Sequence, residues 1–565
     1  MTISAIHPGL ILVLGGLLLP FVGTRARRAL ILGLPLLTLA LVWRLPDGIF
    51  GVVGVLDYQL ALVRGDRLSR LFGIIFSLMA FGGGLYALNQ KRVSELAAVF
   101  VYAGSAVGVA LAGDLVTLFI FWEIMAVAST LVVLSAGGGR AKRASMRYLL
   151  VHMFGGSLLM AGIIAHVLDS GTTAFTAMVP DTLGAGLMLT GVLVNAAAPP
   201  LSAWLSDAYP EASYSGTVFL SAFTTKAAVY VLLRGFPGAE ILIFIGLFMI
   251  FYGIIYALLE NDMRRILAYS IVNQVGFMVV GVGIGTEMAI NGTAAHAFTH
   301  IIYKALLLMS AGAVLYMTGK HKCTDLGGLF RSMPLTTVCA IVGALSISSF
   351  PLTSGFIRKS MIGQAAANEQ LMFVWFMLIA ASAGVFLHAG IKFPWFVFFQ
   401  KDSGLRPPDP PWNMRLAMVL FAGLCVGLGV WPEPLYALLP YPVAYAPYTV
   451  AHVVNSLQLL LFSGLAFFLM LPLMKRTLTI TLDVDWIYRK FASRCVCWAV
   501  SLGRPLDAAL RSGFVGVLGW VTSNAERQYG PLGPAARTWT TGRAVGLATA
   551  MLGVLLILFF VAVSG

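Results

Sequence analysis

Charged residues and cysteines are scarce in this sequence of 565 residues. Only 11% of the residues are charged and 59% are hydrophobic, which excludes a soluble globular protein and predicts a polytopic membrane protein. The five cysteines form no CxxC pair and no metal-ligand spacing: Cys323, Cys339, Cys425, Cys495 and Cys497. We therefore expect no disulfide framework, no iron–sulfur site, no metal and no redox cofactor.

The sequence also lacks the motifs of nucleotide-driven proteins. It contains no GxxxxGKS phosphate-binding loop and no GxGxxG pattern followed by the expected acidic residue. An ion gradient, or a redox partner in another subunit, would have to supply the energy, so the chain itself is not expected to be an enzyme. The net charge of +14 does not indicate nucleic acid, because Lys and Arg fall mostly in short loops between apolar stretches.

The apolar stretches predict an all-α polytopic membrane protein with about 16 transmembrane helices. Residues 1–92 would form an N-terminal three-helix segment and residues 393–474 two additional spans. The polar residues 475–541 should form amphipathic helices on the cytoplasmic side of the membrane surface, followed by a last span at 542–565. Basic loops follow spans one, three, five, eleven, thirteen and fifteen, which places both termini outside. The N-terminal run has no basic segment before it and is interpreted as a retained span.

Two charged residues stand alone inside apolar spans. Glu123 lies in the fifth span, within TLFIFWEIMAVAST, and Lys226 is the single charge of the eighth. Burial of either costs roughly 2.5 to 3.5 kcal/mol, so such residues usually face the inside of a bundle and serve a function. We expect Glu123 and Lys226 to face each other or a shared chain of water, where movement of one would change the proton affinity of the other. A static ion pair between two helices is the alternative.

Three ionisable residues lie in register on the eleventh span. His296, His300 and Lys304 follow one another at i, i+4 and i+8, so they share one stripe of a helix. This is the geometry of a proton or cation relay. His296 alone could equally be an ordinary core histidine. A zinc site is not expected, because no Cys or carboxylate stands nearby to complete it.

Two spans are interrupted. The seventh contains Pro199 and Pro200, and the twelfth contains Pro351 and Gly355 before it reaches Lys359. Proline removes helical hydrogen bonds and forces a break, and paired breaks in the two halves of a transporter indicate its ion site and internal repeats. The Lys359 side chain can either enter the bundle or extend to the interface, and the sequence leaves both open.

Six stretches together resemble one known family: FWEIMA, NAAAPPLSAWLSDAYPEA, TTKAAVYVLLR, NDMRRILAYSIVNQVGF, HAFTHIIYKALLLMSAG and FPLTSGFIRKS. They are similar to the antiporter-like, proton-conducting membrane subunits of complex I, membrane-bound hydrogenases and Mrp-type sodium/proton antiporters, most of all to the D subunit of the Mrp type. The resemblance implies two inverted five-helix repeats, at 93–234 and 238–392, each with a discontinuous helix beside a central hydrophilic axis. It places Glu123, Lys226, His300, Lys304 and Lys359 on the family's pathway positions.

One departure from the family pattern concerns the first repeat. The family has a lysine five residues before the second proline and a histidine after it, where this chain has Asn195 and Ser202. Either Lys226 replaces that lysine as the partner of Glu123, or Glu123 and Asn195 bind a metal cation through their oxygens. We favour the first. The predicted ion pathway comprises Glu123, Asn195, Lys226, His296, His300, Lys304, Lys359 and Lys392.

The leading functional hypothesis is a proton- or cation-translocating subunit of a multi-subunit, Mrp-type antiporter in a prokaryotic cytoplasmic membrane. Its expected partners are other membrane subunits, the lipid bilayer, protons and Na⁺ or K⁺, with no nucleic acid. Two alternatives stay open. One is the membrane arm of a hydrogenase or another complex I-related oxidoreductase, and the other is a scaffold subunit that conducts nothing.

Overall fold

The computed structural model describes residues 7–55, 57–472, 483, 486–531, 533–534 and 539–564. The chain divides into two compact units, Met1–Asp485 and Trp486–Gly565. The first unit opens with ten helices: α1 Pro8–Leu18, α2 Thr24–Trp43, α3 Arg67–Tyr86, α4 Val93–Leu111, α5 Leu115–Ser135, α6 Gly138–Ser170, α7 Leu183–Asn195, α8 Ala203–Ala208, α9 Gly216–Leu220 and α10 Thr224–Gly235. It continues with α11 Ile241–Leu259, α12 Met263–Ile284, α13 Glu287–Thr318, α14 Pro334–Ile347, α15 Phe356–Asn368, α16 Met372–Val385, α17 Trp412–Val430, α18 Glu433–Tyr436 and α19 Val450–Met470.

The helices confirm the predicted class of fold. Among the described residues, 13 helices are long and apolar enough to cross a membrane, and three shorter apolar helices lie at Pro8–Phe21, Leu183–Asn195 and Pro334–Ile347. The chain is an integral, multi-pass membrane protein. Two π-helical segments, Phe386–Lys392 and Trp395–Phe399, continue α16.

The sequence analysis missed a β-hairpin. Strand β1, Gly48–Val55, pairs antiparallel with β2, Tyr58–Gly65, within the region that was predicted as a three-helix segment. The run is rich in valine and glycine and apolar on both faces, so it lacks the alternation by which a half-buried strand is identified. The hairpin rests on the α4–α5 connection, where the Gly113 amide donates to the Ala61 carbonyl at 3.0 Å.

Two helices of the first unit begin in the same way. Asp114 caps the N-terminus of α5, and Asp262 caps that of α12. Each capping residue also forms an isolated antiparallel bridge to the segment that follows the next helix, Asp114 with Ala174 and Asp262 with Lys322. The starts of α5 and α12 therefore share one local design. The two inverted repeats and their boundaries stay predictions.

Both predicted helix breaks are present and have the same backbone design. After α7, Ala197 has φ 61°, and after α14, Ser349 has φ 63°. In each case the next amide reaches back to the last turn, from Ala198 to Leu193 and from Phe350 to Leu345, both at 3.0 Å. This is a Schellman-type helix end, and a proline follows it directly. The chain resumes as α8 and α15.

The described residues of the second unit form two α-helices. Helix α20, Ala492–Tyr529, has 38 residues and follows a short π-helical segment, Ile487–Phe491. Helix α21, Thr541–Ser564, holds the last candidate span. The helical character expected of the polar region is confirmed for α20, which is not among the candidate spans, while its placement along the membrane surface stays a prediction. The parts of this prediction that fall on residues 475–482, 484–485, 532 and 535–538 lie outside the described residues.

Candidate functional site

The three in-register residues of α13 are completely buried. His296, His300 and Lys304 have no exposed side-chain surface, and the single helix that carries them runs for 32 residues. Their neighbours on α12 are neutral polar groups at helical spacing, Ser270 and Gln274. Lys304 Nζ donates to Ser270 Oγ at 2.8 Å, and His296 Nε2 donates to Gln274 Oε1 at 3.1 Å. The predicted stripe is therefore present and faces α12.

Helix α15 adds two cations to this stripe. Arg358 is completely buried, and its Nη2 donates to Tyr303 Oη at 2.6 Å. Lys359 points into the bundle, where its Nζ lies 3.3 Å from the carbonyl oxygen of Ile347 and 4.9 Å from the ring centre of Phe277. This resolves the orientation that the sequence left open.

Lys226 reaches the same row from the interruption between α9 and α10. Its Nζ donates to the carbonyl of Ser221 at 2.8 Å and to Thr225 Oγ1 at 3.0 Å. His300 lies within electrostatic range of both Lys226 and Lys304, and neither of its ring nitrogens has a hydrogen-bond partner. The break between α9 and α10 therefore leaves the Ser221 carbonyl available to bind this lysine.

Glu123 and Lys226 do not form the ion pair that was the alternative prediction. Glu123 instead packs against Gly156 of α6, and its buried Oε1 has no hydrogen-bond partner. Two positions of the backbone explain this. The carbonyl of Ser221 accepts a hydrogen bond from the lysine. Gly156 has no side chain and therefore leaves room for the Glu123 carboxylate. Within the described part of the chain, no ion pair involves Lys226, Lys304 or Lys359.

Asn195 and Ser202 lie on either side of the first helix break. Asn195 ends α7 and is completely buried, and Ser202 directly precedes α8. Neither the Asn195 amide group nor Ser202 Oγ has a hydrogen-bond partner. Asn195 and Ser202 are thus buried but make no hydrogen bond to the row of basic residues.

Lys392 binds the end of a neighbouring helix, a role that its sequence position did not indicate. Its Nζ donates to the carbonyls of Ala257, Leu258 and Glu260, at 3.0, 2.5 and 2.6 Å. These groups are the C-terminal end of α11, where a cation is favoured by the helix dipole and the unpaired carbonyls. All three ammonium hydrogens are used, so this lysine caps α11, and its assignment to the pathway stays a prediction.

Sequence reasoning missed most of the groups that connect the charges. The missed residues are Ser270, Gln274, Tyr303 and Arg358. Ser, Gln and Tyr are common in membrane helices and give no signal alone, although the i, i+4 spacing of Ser270 and Gln274 matches that of the α13 stripe. Arg358 carried the stronger signal, because an arginine inside a broken apolar span must either reach the surface or find a buried acceptor.

Comparisons with known proteins agree with this architecture. The sequence is 29% identical over 420 residues to the D subunit of the Na⁺/H⁺ antiporter from Alkalihalophilus pseudofirmus, covering 70% of this chain and 83% of that one. The fold is similar to the Mrp complex of Dietzia sp. DQ12-45-1b, with a TM-score of 0.76 at 21% identity over 100% of this chain and 63% of that chain. It is also similar to an archaeal membrane-bound sulfane sulfur reductase, with a TM-score of 0.72 at 24% identity over 98% and 100%.

A family profile covers the segment that holds the helix breaks and most of the buried charges. The match runs from residue 112 to residue 386 and includes Glu123, Lys226 and Lys304. This segment of the chain is similar to the transmembrane family of NADH:quinone oxidoreductases and Mrp antiporters.

Proposed function

We propose that this chain is a proton- or monovalent-cation-translocating subunit of a multi-subunit, Mrp-type antiporter. The observation that carries the proposal is the buried row that joins α10, α13 and α15 through Lys226, Lys304 and Lys359. Ionisable groups on separate membrane helices are costly to bury and are kept where ions or protons move. The row has basic groups at each step and neutral hydrogen-bonding groups between them.

The row would conduct by passing a proton from base to base. Lys226, held at the Ser221 carbonyl, hands its proton toward His300 and Lys304, and Lys304 passes one toward Lys359. Each transfer leaves the donor neutral and the acceptor charged, so charge is conserved. Like charges repel strongly where the effective dielectric is low, so a proton that arrives at one lysine favours release from the next. Gln274 and Tyr303 supply the neutral hydrogen bonds that link α12, α13 and α15.

We also propose in which membrane and beside which partners the protein acts. The protein would act beside other membrane subunits in the cytoplasmic membrane of a prokaryote, with both termini outside, and would carry out no chemistry of its own. The similar protein from Alkalihalophilus pseudofirmus is named for Na⁺/H⁺ exchange, which supports protons and Na⁺ as the transported ions.

Ion exchange by the intact complex tests the proposal. Lys226→Ala and Lys304→Ala should each abolish cation-driven pH change in membrane vesicles, because each removes one base from the row. Lys320→Ala should leave exchange unchanged, since Lys320 is exposed beyond α13. Exchange at the wild-type rate in both row variants would contradict the proposal.

The same row would also serve the membrane arm of a redox complex, and the similarity to a respiratory membrane complex favours this second candidate. Iron–sulfur or nickel–iron subunits in the purified complex would identify it. A scaffold role would instead be indicated by full activity after replacement of both Lys304 and Lys359.

A further inference from the structure

The break between α7 and α8 carries buried oxygen atoms that lack hydrogen-bond donors. The side chain of Asn195 is completely buried, and its amide oxygen and nitrogen are both unpartnered. Ser202 Oγ, on the other side of the break, is 1% exposed at the residue level and is also unpartnered. Buried polar groups normally have a partner, so these two residues indicate a ligand that binds oxygen.

The prolines add backbone oxygens to this set. In a helix, the carbonyls of Asn195 and Ala196 would accept from the amides four residues later, but those residues are Pro199 and Pro200, which have no amide hydrogen. The two carbonyls also lie at the C-terminal, negative end of α7. In transporters with discontinuous helices, unwound carbonyls and such half-helix ends coordinate Na⁺.

The second break shows a cation on the matching oxygen. Ile347 ends α14 four residues before Pro351, just as Asn195 ends α7 four residues before Pro199. The Ile347 carbonyl accepts from the Lys359 ammonium at 3.3 Å. The fold therefore places a lysine amino group on this carbonyl in one half of the unit.

The first break has no such protein cation. The residue that matches Lys359 in its distance from the proline is Asp207, which binds Arg147 at 2.7 Å. Within the described residues, no side chain donates to the carbonyl of Asn195, and the nearby buried lysine, Lys226, donates to Ser221 and Thr225 instead. The matching oxygen is left for a cation that the chain does not supply.

Glu123 packs on α6 one residue away from the glycine that packs against the end of α7. Its carboxylate packs on Gly156, and the preceding glycine, Gly155, lies against Val194, next to Asn195. The buried Glu123 Oε1 has no hydrogen-bond partner. The set contains one carboxylate, one amide, one hydroxyl and two carbonyls, so it balances a single positive charge. Sites for divalent cations usually bring more carboxylates.

We propose that the α7–α8 break binds a dehydrated monovalent cation, Na⁺ or K⁺, through oxygens of Asn195, Ala196 and Ser202 with Glu123 as the counter-charge. This site adds an ion-binding step to the proposed function, and the purpose of the site rests on that function. The cation takes the place that the Lys359 ammonium holds at the second break. The two halves of the unit then differ in chemistry, one with a bound metal ion and one with a lysine.

Thermal unfolding of the purified complex in NaCl, KCl or choline chloride at equal ionic strength tests the site. A ligand that binds only the folded state raises the melting temperature with its concentration. Either Na⁺ or K⁺ should raise the midpoint of the wild type and of Asn195→Asp, and the effective salt identifies the ion. Asn195→Leu should raise the half-saturating concentration about tenfold or more, since an oxygen ligand to a charge is lost.

Two more variants sharpen the test. Asn195→Lys places an ammonium at the break, so it should remove the dependence on Na⁺ or K⁺, while Thr190→Val, on the exposed face of α7, should keep it. Equal salt responses in all variants, or no difference between alkali salts and choline in the wild type, would overturn the site. Ion exchange measured on the same preparations separates the two proposals. A melting temperature that depends on the cation, without exchange, supports the site and contradicts the transport function. Exchange without that dependence supports the transport function and contradicts the site.

Discussion

Arg358 Nη2 donates to Tyr303 Oη at 2.6 Å, and the guanidinium carbon of the same arginine lies 4.7 Å from the centre of the tyrosine ring. Tyr303 therefore supplies both a hydrogen-bond acceptor and a π-face to a buried cation. Tyr303 Oη donates its hydrogen to Gln274 Oε1 at 3.1 Å. Gln274 Oε1 also accepts a hydrogen bond from His296. A single hydroxyl thus links α15, α13 and α12.

Removal of that hydroxyl should impair the complex. Tyr303→Phe keeps the ring but leaves a buried guanidinium without its acceptor, and a hydrogen bond to a charged group contributes roughly 1.5 to 3 kcal/mol. We expect a lower melting temperature and slower exchange in vesicles. Tyr316→Phe, near the partly exposed end of α13, is the matched control and should change neither. Wild-type behaviour of Tyr303→Phe would mean that another group holds Arg358.

Lys392 should matter for stability more than for conduction. Lys392→Met removes three hydrogen bonds from the end of α11 and exposes its carbonyls to an apolar side chain, so the melting temperature of the complex should fall. The loss should amount to roughly 2 kcal/mol or more. Lys320→Met serves as the exposed control. A variant that melts like the wild type but no longer exchanges ions would instead place Lys392 in the pathway.

Replacement of Gly156 by alanine, which adds the smallest side chain, should reduce ion exchange. A Cβ at this position would overlap Glu123 Oε1, so Gly156→Ala should displace the carboxylate and reduce exchange. Gly186→Ala is the matched control, because a Cβ there has no neighbour within 4 Å. The control should stabilise its helix by about 0.5 to 1 kcal/mol. Equal exchange rates in the two variants would contradict a role for the position of Glu123.

The start of α3 should be acid-sensitive. Burial of Asp66 opposes its ionisation, but Arg234 Nη2, at 2.7 and 2.8 Å from its two oxygens, and the Ser69 amide outweigh this and lower the pKa of the carboxyl. The stabilisation is fully present above the unfolded pKa of about 3.9 and is lost as pH falls through the lower folded value. Thermal unfolding at pH 6 and below pH 4 should show a smaller acid-induced loss in Asp66→Asn than in the wild type. An identical loss would show that other groups govern this range.

The sequence predicted the fold where one physical rule dominated. Span length identified the membrane helices, and the prolines identified both breaks, because hydrocarbon length and missing amide hydrogens depend on composition alone. The burial of His300 and Lys304 followed from helical spacing. Partners across helices did not follow, since Glu123 faces α6 and Lys226 faces α13 only because of Gly156 and the interruption at Ser221. The hairpin was missed because β1 is apolar on both faces.

The length of α13 has a mechanical consequence. Its 32 residues extend about 48 Å, more than the roughly 30 Å of a hydrocarbon core, so the helix must tilt or protrude. No break interrupts it between His296 and Lys304. A change of tilt would therefore shift all the ionisable side chains of this rod at once, and displacement at one end would alter the distances to both α10 and α15 in the same movement.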